Sequence, residues 1–232
     1  MKINLLDLLY PPKCVFCREL LKWGTEKWVC KPCSTEIEYI SGNVCPQCGR
    51  PVEAKIKACH ECRSSQKFFT HNHALFVYDG TIRDSIHRFK YNRSPQYSKY
   101  FASEFANRLH DEITRHQFLV GIPMHKSKMK SRGFNQADLL AKETSLLTNV
   151  AVLENTLLRV KNTKPQNALD KTSRLNNLQD AFVITSNNII EGKRIILVDD
   201  IYTTGSTINE CAKVLKEAGA TEVNSITISV VE

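Results

Sequence analysis

The sequence predicts an α/β protein built on a parallel sheet, with a small zinc-ribbon domain in front of it. Three observations predict this. Four Cys-x-x-Cys pairs stand before residue 63 of the 232-residue chain. Beyond about residue 65, strand-like and helix-like segments alternate. Several of the strand-like segments are near-continuous apolar runs, as expected for a parallel sheet covered by helices on both faces. The chain divides into a double zinc ribbon over residues 1–66, a linker over 67–74 and an α/β domain over 75–232.

The cysteine pairs are Cys14/Cys17, Cys30/Cys33, Cys45/Cys48 and Cys59/Cys62. One tight turn lets both sulfurs of a pair reach the same metal, and four thiolates close a tetrahedral structural site. Twelve residues separate the first two pairs and ten the last two, lengths that suit a hairpin-like ribbon. Sequential pairing puts one zinc on Cys14, Cys17, Cys30 and Cys33 and another on Cys45, Cys48, Cys59 and Cys62. Interleaved pairing is the alternative. A closed four-thiolate site has no open position for chemistry, and metal binding supplies the folding energy that about 60 residues cannot bury. Trp23, Trp28, Lys13, Lys22, Lys27 and Lys31 allow two readings. They form a basic, aromatic surface for single strands, or the tryptophans cap a small core.

Cysteine usage also bears on the compartment. The start, Met1 to Leu9, is interrupted by Asp7 and carries no cleavage site, and no apolar run approaches the ~18 residues of a membrane span. The expectation is a cytoplasmic protein with reduced, metal-bound cysteines. The apolar residues Ile3, Leu5, Leu6, Leu8 and Leu9 either pack on a neighbouring domain or touch the inner face of the membrane. The formal charge is +8. Eight thiolates and two zinc ions bring it to about +4. A modest positive charge suits either a solvated surface or a phosphate-bearing partner.

Along the α/β domain, residues 73–78 read as a strand, and Ile82, Ile86 and Phe89 have helical spacing. Ser98 to Glu112 reads as one helix, Phe118 to Pro123 as a short buried strand, and Met124 to Arg132 as a polar, basic loop. A helix runs through Ala137, Leu140 and Ala141, and one strand begins at Val152-Leu153 and ends near Arg159-Val160. Lys161 to Asp180 is a long polar stretch of the kind that is either a functional lid or disordered. Further strands follow at residues 181–184 and 194–198. The next helix carries Ile208, Cys211, Ala212 and Leu215 on one face and stops at Gly219, with Cys211 expected as a core residue. Val223 to Val231 is the last strand.

The segment Val198 to Thr207 carries the chemistry. An apolar strand ends in Asp199 and Asp200, and a loop of small hydroxyl residues around Gly205 opens a helix. Ligands in open α/β sheets sit at the carboxyl ends of strands. The loop offers converging N–H groups and hydroxyls, and the helix dipole favours an anion there. Carboxylates beside it accept the protons of a vicinal diol. Together they describe a site for a ribose 5-phosphate.

This segment resembles the phosphoribosyl pyrophosphate (PRPP) motif of type I phosphoribosyltransferases. The resemblance implies that Asp199 and Asp200 hold the ribose hydroxyls, and that Thr203, Thr204, Gly205, Ser206 and Thr207 bind the 5-phosphate. The order of the four Cys pairs, Lys90-Tyr91, Arg132 to Gln136, Lys164-Pro165-Gln166, Arg174 to Asn176 and the Val-Asp-Asp loop is similar to the ComF family of competence proteins over essentially the whole chain. The resemblance implies a double zinc ribbon before a phosphoribosyltransferase-like domain. It implies a role in internalising single-stranded DNA beside the helicase-like ATPase ComFA. His125 and Lys126 then fall where the transferases place a pyrophosphate loop, and Arg132, Asn135 and Gln136 match the family motif. Lys90, which follows a helical stripe, either reaches the same anion or is a surface lysine. Residues 161–180 take the place of the hood, with Arg159, Gln166 and Arg174 as its contacts. Two function classes follow: a DNA-uptake factor with a ribose-phosphate pocket, or a working transferase that uses Mg²⁺ and PRPP. A general nucleotide-scavenging enzyme is a third reading, for which the zinc module is unnecessary. Nothing in the sequence identifies an acceptor.

Overall fold

The computed structural model describes residues 11–22, 27–56, 58–91, 95–161, 180–186 and 188–232. Five strands form one parallel sheet in the order β1 (Asn72–Val77), β7 (Glu222–Val230), β6 (Arg194–Tyr202), β2 (Phe118–Gly121) and β3 (Ala151–Val152). A separate antiparallel pair joins β4 (Leu157–Arg159) to β5 (Phe182–Ile184), so Arg159 faces Phe182 across its ladder. The helices are α1 (Lys31–Glu36), α2 (His60–Arg63), α3 (Gly80–Tyr91), α4 (Pro95–Arg108), α5 (His110–Thr114), α6 (Lys126–Arg132), α7 (Gln136–Thr148) and α8 (Ser206–Glu217). No helix among the described residues is long and apolar enough to cross a membrane.

Alternation along β6 splits the core. Ile196 and Val198 join the side packed by α3 and α4, and Ile195 and Leu197 join the side packed by α8. Each group of cysteines sits on one of these sides. Cys14, Cys30 and Cys33 pack with Phe16, Phe76, Tyr100 and Phe101. Cys45, Cys48 and Cys62 pack with Phe69 and Tyr202. The ribbon is bonded to the domain as well. Ser85 Oγ donates to Val15 O (2.8 Å), Arg88 to Phe16 O, and Asn72 Nδ2 to Cys48 O (2.9 Å). The chain enters the core early, with Phe69 buried and β1 opening at Asn72.

Three expected elements differ. The basic segment after β2 is a helix, α6, rather than a loop. His125 Nδ1 caps it by accepting from the Ser127 N–H (3.2 Å), and Gly133 ends it at φ +85°. Residues 98–112 are two helices that break at Leu109, whose φ of −120° leaves the helical region. The strand expected over residues 152–160 is two strands in two sheets, divided by a turn at Asn155 with φ +56°.

Candidate functional site

The sulfurs fall in two groups, each with every ligand atom within 4.8 Å of the others: Cys14, Cys17, Cys30 and Cys33, then Cys45, Cys48, Cys59 and Cys62. Pairing is therefore sequential. Sulfurs about 2.3 Å from a shared zinc stand ~3.8 Å apart. The Cys17–Cys30 and Cys48–Cys59 separations of 3.5 and 3.7 Å fit that ion. Backbone N–H groups aim at the sulfurs, as those of Cys30 at Cys14 Sγ (3.4 Å) and Cys59 at Cys45 Sγ (3.5 Å), and these favour thiolates. Trp28 packs against the core with Lys27 Nζ 5.3 Å from its ring, while Trp23 lies outside the described residues.

The second site opens at the carboxyl ends of β2 and β6. A cavity of about 640 Å³ is lined by Lys90, Arg132, Asn135, Gln136, Asp199, Asp200, Thr203, Gly205, Ser206 and Thr207, all expected at the site. Arg159, expected as a hood contact, lines it too, as do Lys128 and Tyr91. β6 is paired with β2 as far as Val198 and with β7 on through Tyr202, so the β7 ladder holds the backbone that delivers the neighbouring Asp199 and Asp200 side chains. Lys90, near the end of α3, reaches across to Asp200 Oδ1 at 3.1 Å. Gln136 Nε2 bonds the Lys90 carbonyl (3.2 Å), and Arg132 Nη1 bonds Gln136 Oε1 (2.9 Å). The Arg132 guanidinium lies 5.1 Å from the Tyr91 ring.

Electrostatics divides the cavity. Burial, then the neighbouring Asp200 charge, pushes Asp199 up to about 7. Burial works against the charge on Lys90, but Asp200 and then Asp199 outweigh it and its pKa stands above the usual value. Lys128 is lowered, by burial and then by the charges of Arg159, Arg132 and Lys90. Four cations that repel one another beside a solvent-filled space favour an anion between them.

The phosphate-type loop is tightly turned. Gly205 at φ +72° caps α8, and a Cβ there would fall on the Tyr202 phenol. Thr204 Oγ1 bonds Ser206 Oγ (2.7 Å). Thr204 does not line the cavity, although Ser206, its partner in that bond, does. His125 and Lys126 do not line it either. His125 is committed to capping α6, and Lys126 is exposed on the outer face of that helix. Lys128 and Arg132, four residues apart, share the inner face. Asn135 is spent on structure: Nδ2 donates to Ile122 O (3.0 Å) and Oδ1 caps α7. Gln166 and Arg174 lie outside the described residues. Arg50, which donates to Thr203 O, had no sequence signal beyond its place in a cysteine knuckle.

Comparison with known proteins follows these divisions. Residues 5–63 match the double zinc ribbon domain, and residues 102–229 match the phosphoribosyl transferase domain. The competence protein ComFC of Bacillus subtilis is 34% identical over 91% of this chain and 88% of its own length. Competence protein F of Haemophilus influenzae is 30% identical over 91% and 93%. The DNA utilization protein YhgH of Escherichia coli K12 is 28% identical over 93% and 96%. Among solved structures, a glutamine PRPP amidotransferase from B. subtilis aligns at a TM-score of 0.40 with 18% identity, over 61% of this chain and 30% of that one. With a double zinc ribbon domain, a phosphoribosyl transferase domain and 34% identity over 91% of its length to a competence protein, the chain belongs to the ComF family of competence proteins.

Proposed function

We propose that this chain handles incoming single-stranded DNA during natural transformation, and that its cavity takes the ribose phosphate of PRPP or of a nucleotide. The observation behind the pocket reading is the acid pair Asp199-Asp200 near the end of β6, two residues before the Thr203–Thr207 turn, with Lys90, Lys128, Arg132 and Arg159 lining the same cavity. The carboxylates accept protons from the ribose hydroxyls. The N–H groups and hydroxyls at the start of α8 take the 5-phosphate. The cation wall takes further phosphate charge. The names of the relatives, two competence proteins and a DNA utilization protein, support the uptake role.

In this reading the protein acts on the cytoplasmic side of the membrane beside ComFA. Single-stranded DNA meets the first zinc knuckle, where Lys13, Lys22, Lys27 and Lys31 are all exposed. The test is genetic. In a transformable host lacking its own relative, this chain restores transformation, and an Asp199→Asn/Asp200→Asn variant of equal abundance does not. Full restoration by that variant would remove the pocket from the function.

The cation wall also favours a second reading, a PRPP-dependent transferase with an unidentified acceptor. The C1–O bond to pyrophosphate would break and a nucleophilic nitrogen would bond C1 and lose its proton, while Lys128 and Arg132 receive the departing pyrophosphate. Adjacent carboxylates are a hard oxygen donor pair that suits Mg²⁺, which would supply neutralisation of the phosphates. Pyrophosphate release on mixing with PRPP and candidate acceptors separates the two readings.

A further inference from the structure

We propose that the second zinc knuckle forms the underside of the phosphate loop, and that Arg50 is the positioning residue connecting them. The proposal rests on the reading that the Thr203–Thr207 turn takes a phosphate.

Arg50 stands two residues after Cys48. Its carbonyl accepts from the Cys45 N–H (2.7 Å), so the knuckle itself sets its backbone. Its side chain is only 14% exposed and leaves the ribbon altogether. Nε donates to Val231 O (2.6 Å), Nη2 donates to Thr203 O (2.7 Å), and Nη1 pairs with Glu61. The planar fork thus clamps the end of β7 to the first residue of the phosphate loop. Glu61, the third partner, immediately precedes Cys62. One arm of the knuckle supplies the guanidinium and the other supplies the carboxylate that orients it.

The rest of the loop leans on the same segment. Tyr202 is buried with its ring edge against Phe69 (6.2 Å), and Gly205 packs on the Tyr202 phenol. In the first turn of α8, Asn209 Oδ1 accepts from the Phe68 N–H (2.7 Å) and Nδ2 donates to Gln66 O (3.4 Å). Both ends of the turn are therefore tied to residues 50–69. A turn of Thr, Thr, Gly and Ser has little stiffness of its own, and an anion site made of backbone N–H groups works only when those groups already converge. Removing the guanidinium would leave two carbonyls without their charged donor and let the turn relax. Metal at Cys45, Cys48, Cys59 and Cys62 would hold Arg50 and Glu61 in register, which gives the ribbon a task inside the ligand site.

The test uses the full chain with zinc bound. Arg50→Ala, Arg50→Lys and Arg88→Ala are compared by zinc content, amide hydrogen exchange and titration with PRPP. Arg88 is the control, because it makes a similar clamp onto Val15 and Phe16 of the first knuckle, on the other side of the sheet. Arg50→Ala is expected to keep two zinc ions per chain, to exchange its amides at residues 203–206 at least about tenfold faster, and to bind PRPP at least about tenfold more weakly. Arg50→Lys, which keeps the charge but not the fork, falls between. Arg88→Ala leaves exchange at residues 203–206 unchanged. Wild-type exchange at these amides in Arg50→Ala would overturn the proposal, and so would loss of zinc in both Arg50 variants, which would make the residue a part of the knuckle alone. A wild-type chain that fails to bind PRPP would end the ribose-phosphate reading, while the exchange data would still decide the role of Arg50.

Discussion

Lys90 Nζ lies 3.1 Å from Asp200 Oδ1, so a cation carried by α3 neutralises an acid carried by β6 across the floor of the cavity. Both side chains are mostly buried, at 22% and 13% exposure, and the two adjacent carboxylates depend on this charge. Lys90→Met is expected to lower stability by about 1–3 kcal/mol at pH 8, because it strands a buried acid pair. The loss shrinks at pH 5, where Asp199 takes up a proton. Urea unfolding at the two pH values checks this.

Asp199 gives a second pH signature. Its pKa rises from 3.8 unfolded to about 7 folded, so between those values the folded chain binds more protons than the unfolded one. Stability therefore falls as pH rises through that window. Asp199→Asn removes the ionisation cost and is expected to be more stable than wild type at pH 8, with the gap closing towards pH 4. Binding behaves the opposite way. Mg²⁺ and PRPP need the ionised acid, so affinity falls as pH drops below about 7. Denaturation and titration over pH 5–8 read both trends.

Gly205 is irreplaceable for two reasons that act together, its φ of +72° and the Tyr202 phenol beneath it. Gly205→Ala is expected to cost about 1–3 kcal/mol and to distort the turn enough to abolish PRPP binding. A melting curve and a titration on the same sample separate the two effects.

Phe16 joins the first knuckle to the α3–α4 side of the core, with ring edges toward Phe76, Tyr100 and Phe101. Phe16→Ala is expected to cost about 3–5 kcal/mol while zinc content stays at two per chain. Loss of a zinc ion together with the stability would mean that Phe16 serves the metal site rather than the domain contact.

The readable parts of this chain are those where one strong signal stands alone. Ile195 to Val198 marks the central strand, the acids follow it, and the Cys pairs define both metal groups. The parts that failed carry competing or silent signals. α6 buries no residue, so it has no apolar stripe, and its cap is a histidine rather than a serine or aspartate. That hid the helical phase that turns Lys128 and Arg132 inward and Lys126 outward. The break at Leu109 sits within a continuous apolar stripe, so spacing alone predicted one helix. Arg50 was invisible because its partners are the carbonyls of Thr203 and Val231, more than 150 residues away, and carbonyls leave no mark in a sequence.

The most direct test of the account is calorimetric titration of the zinc-loaded chain with PRPP and Mg²⁺, beside Asp199→Asn/Asp200→Asn. Saturable binding by the wild type that is lost in a folded, zinc-replete variant is the predicted result. Equal binding by both, or none by a folded wild type, would contradict a ribose-phosphate site at the end of β6.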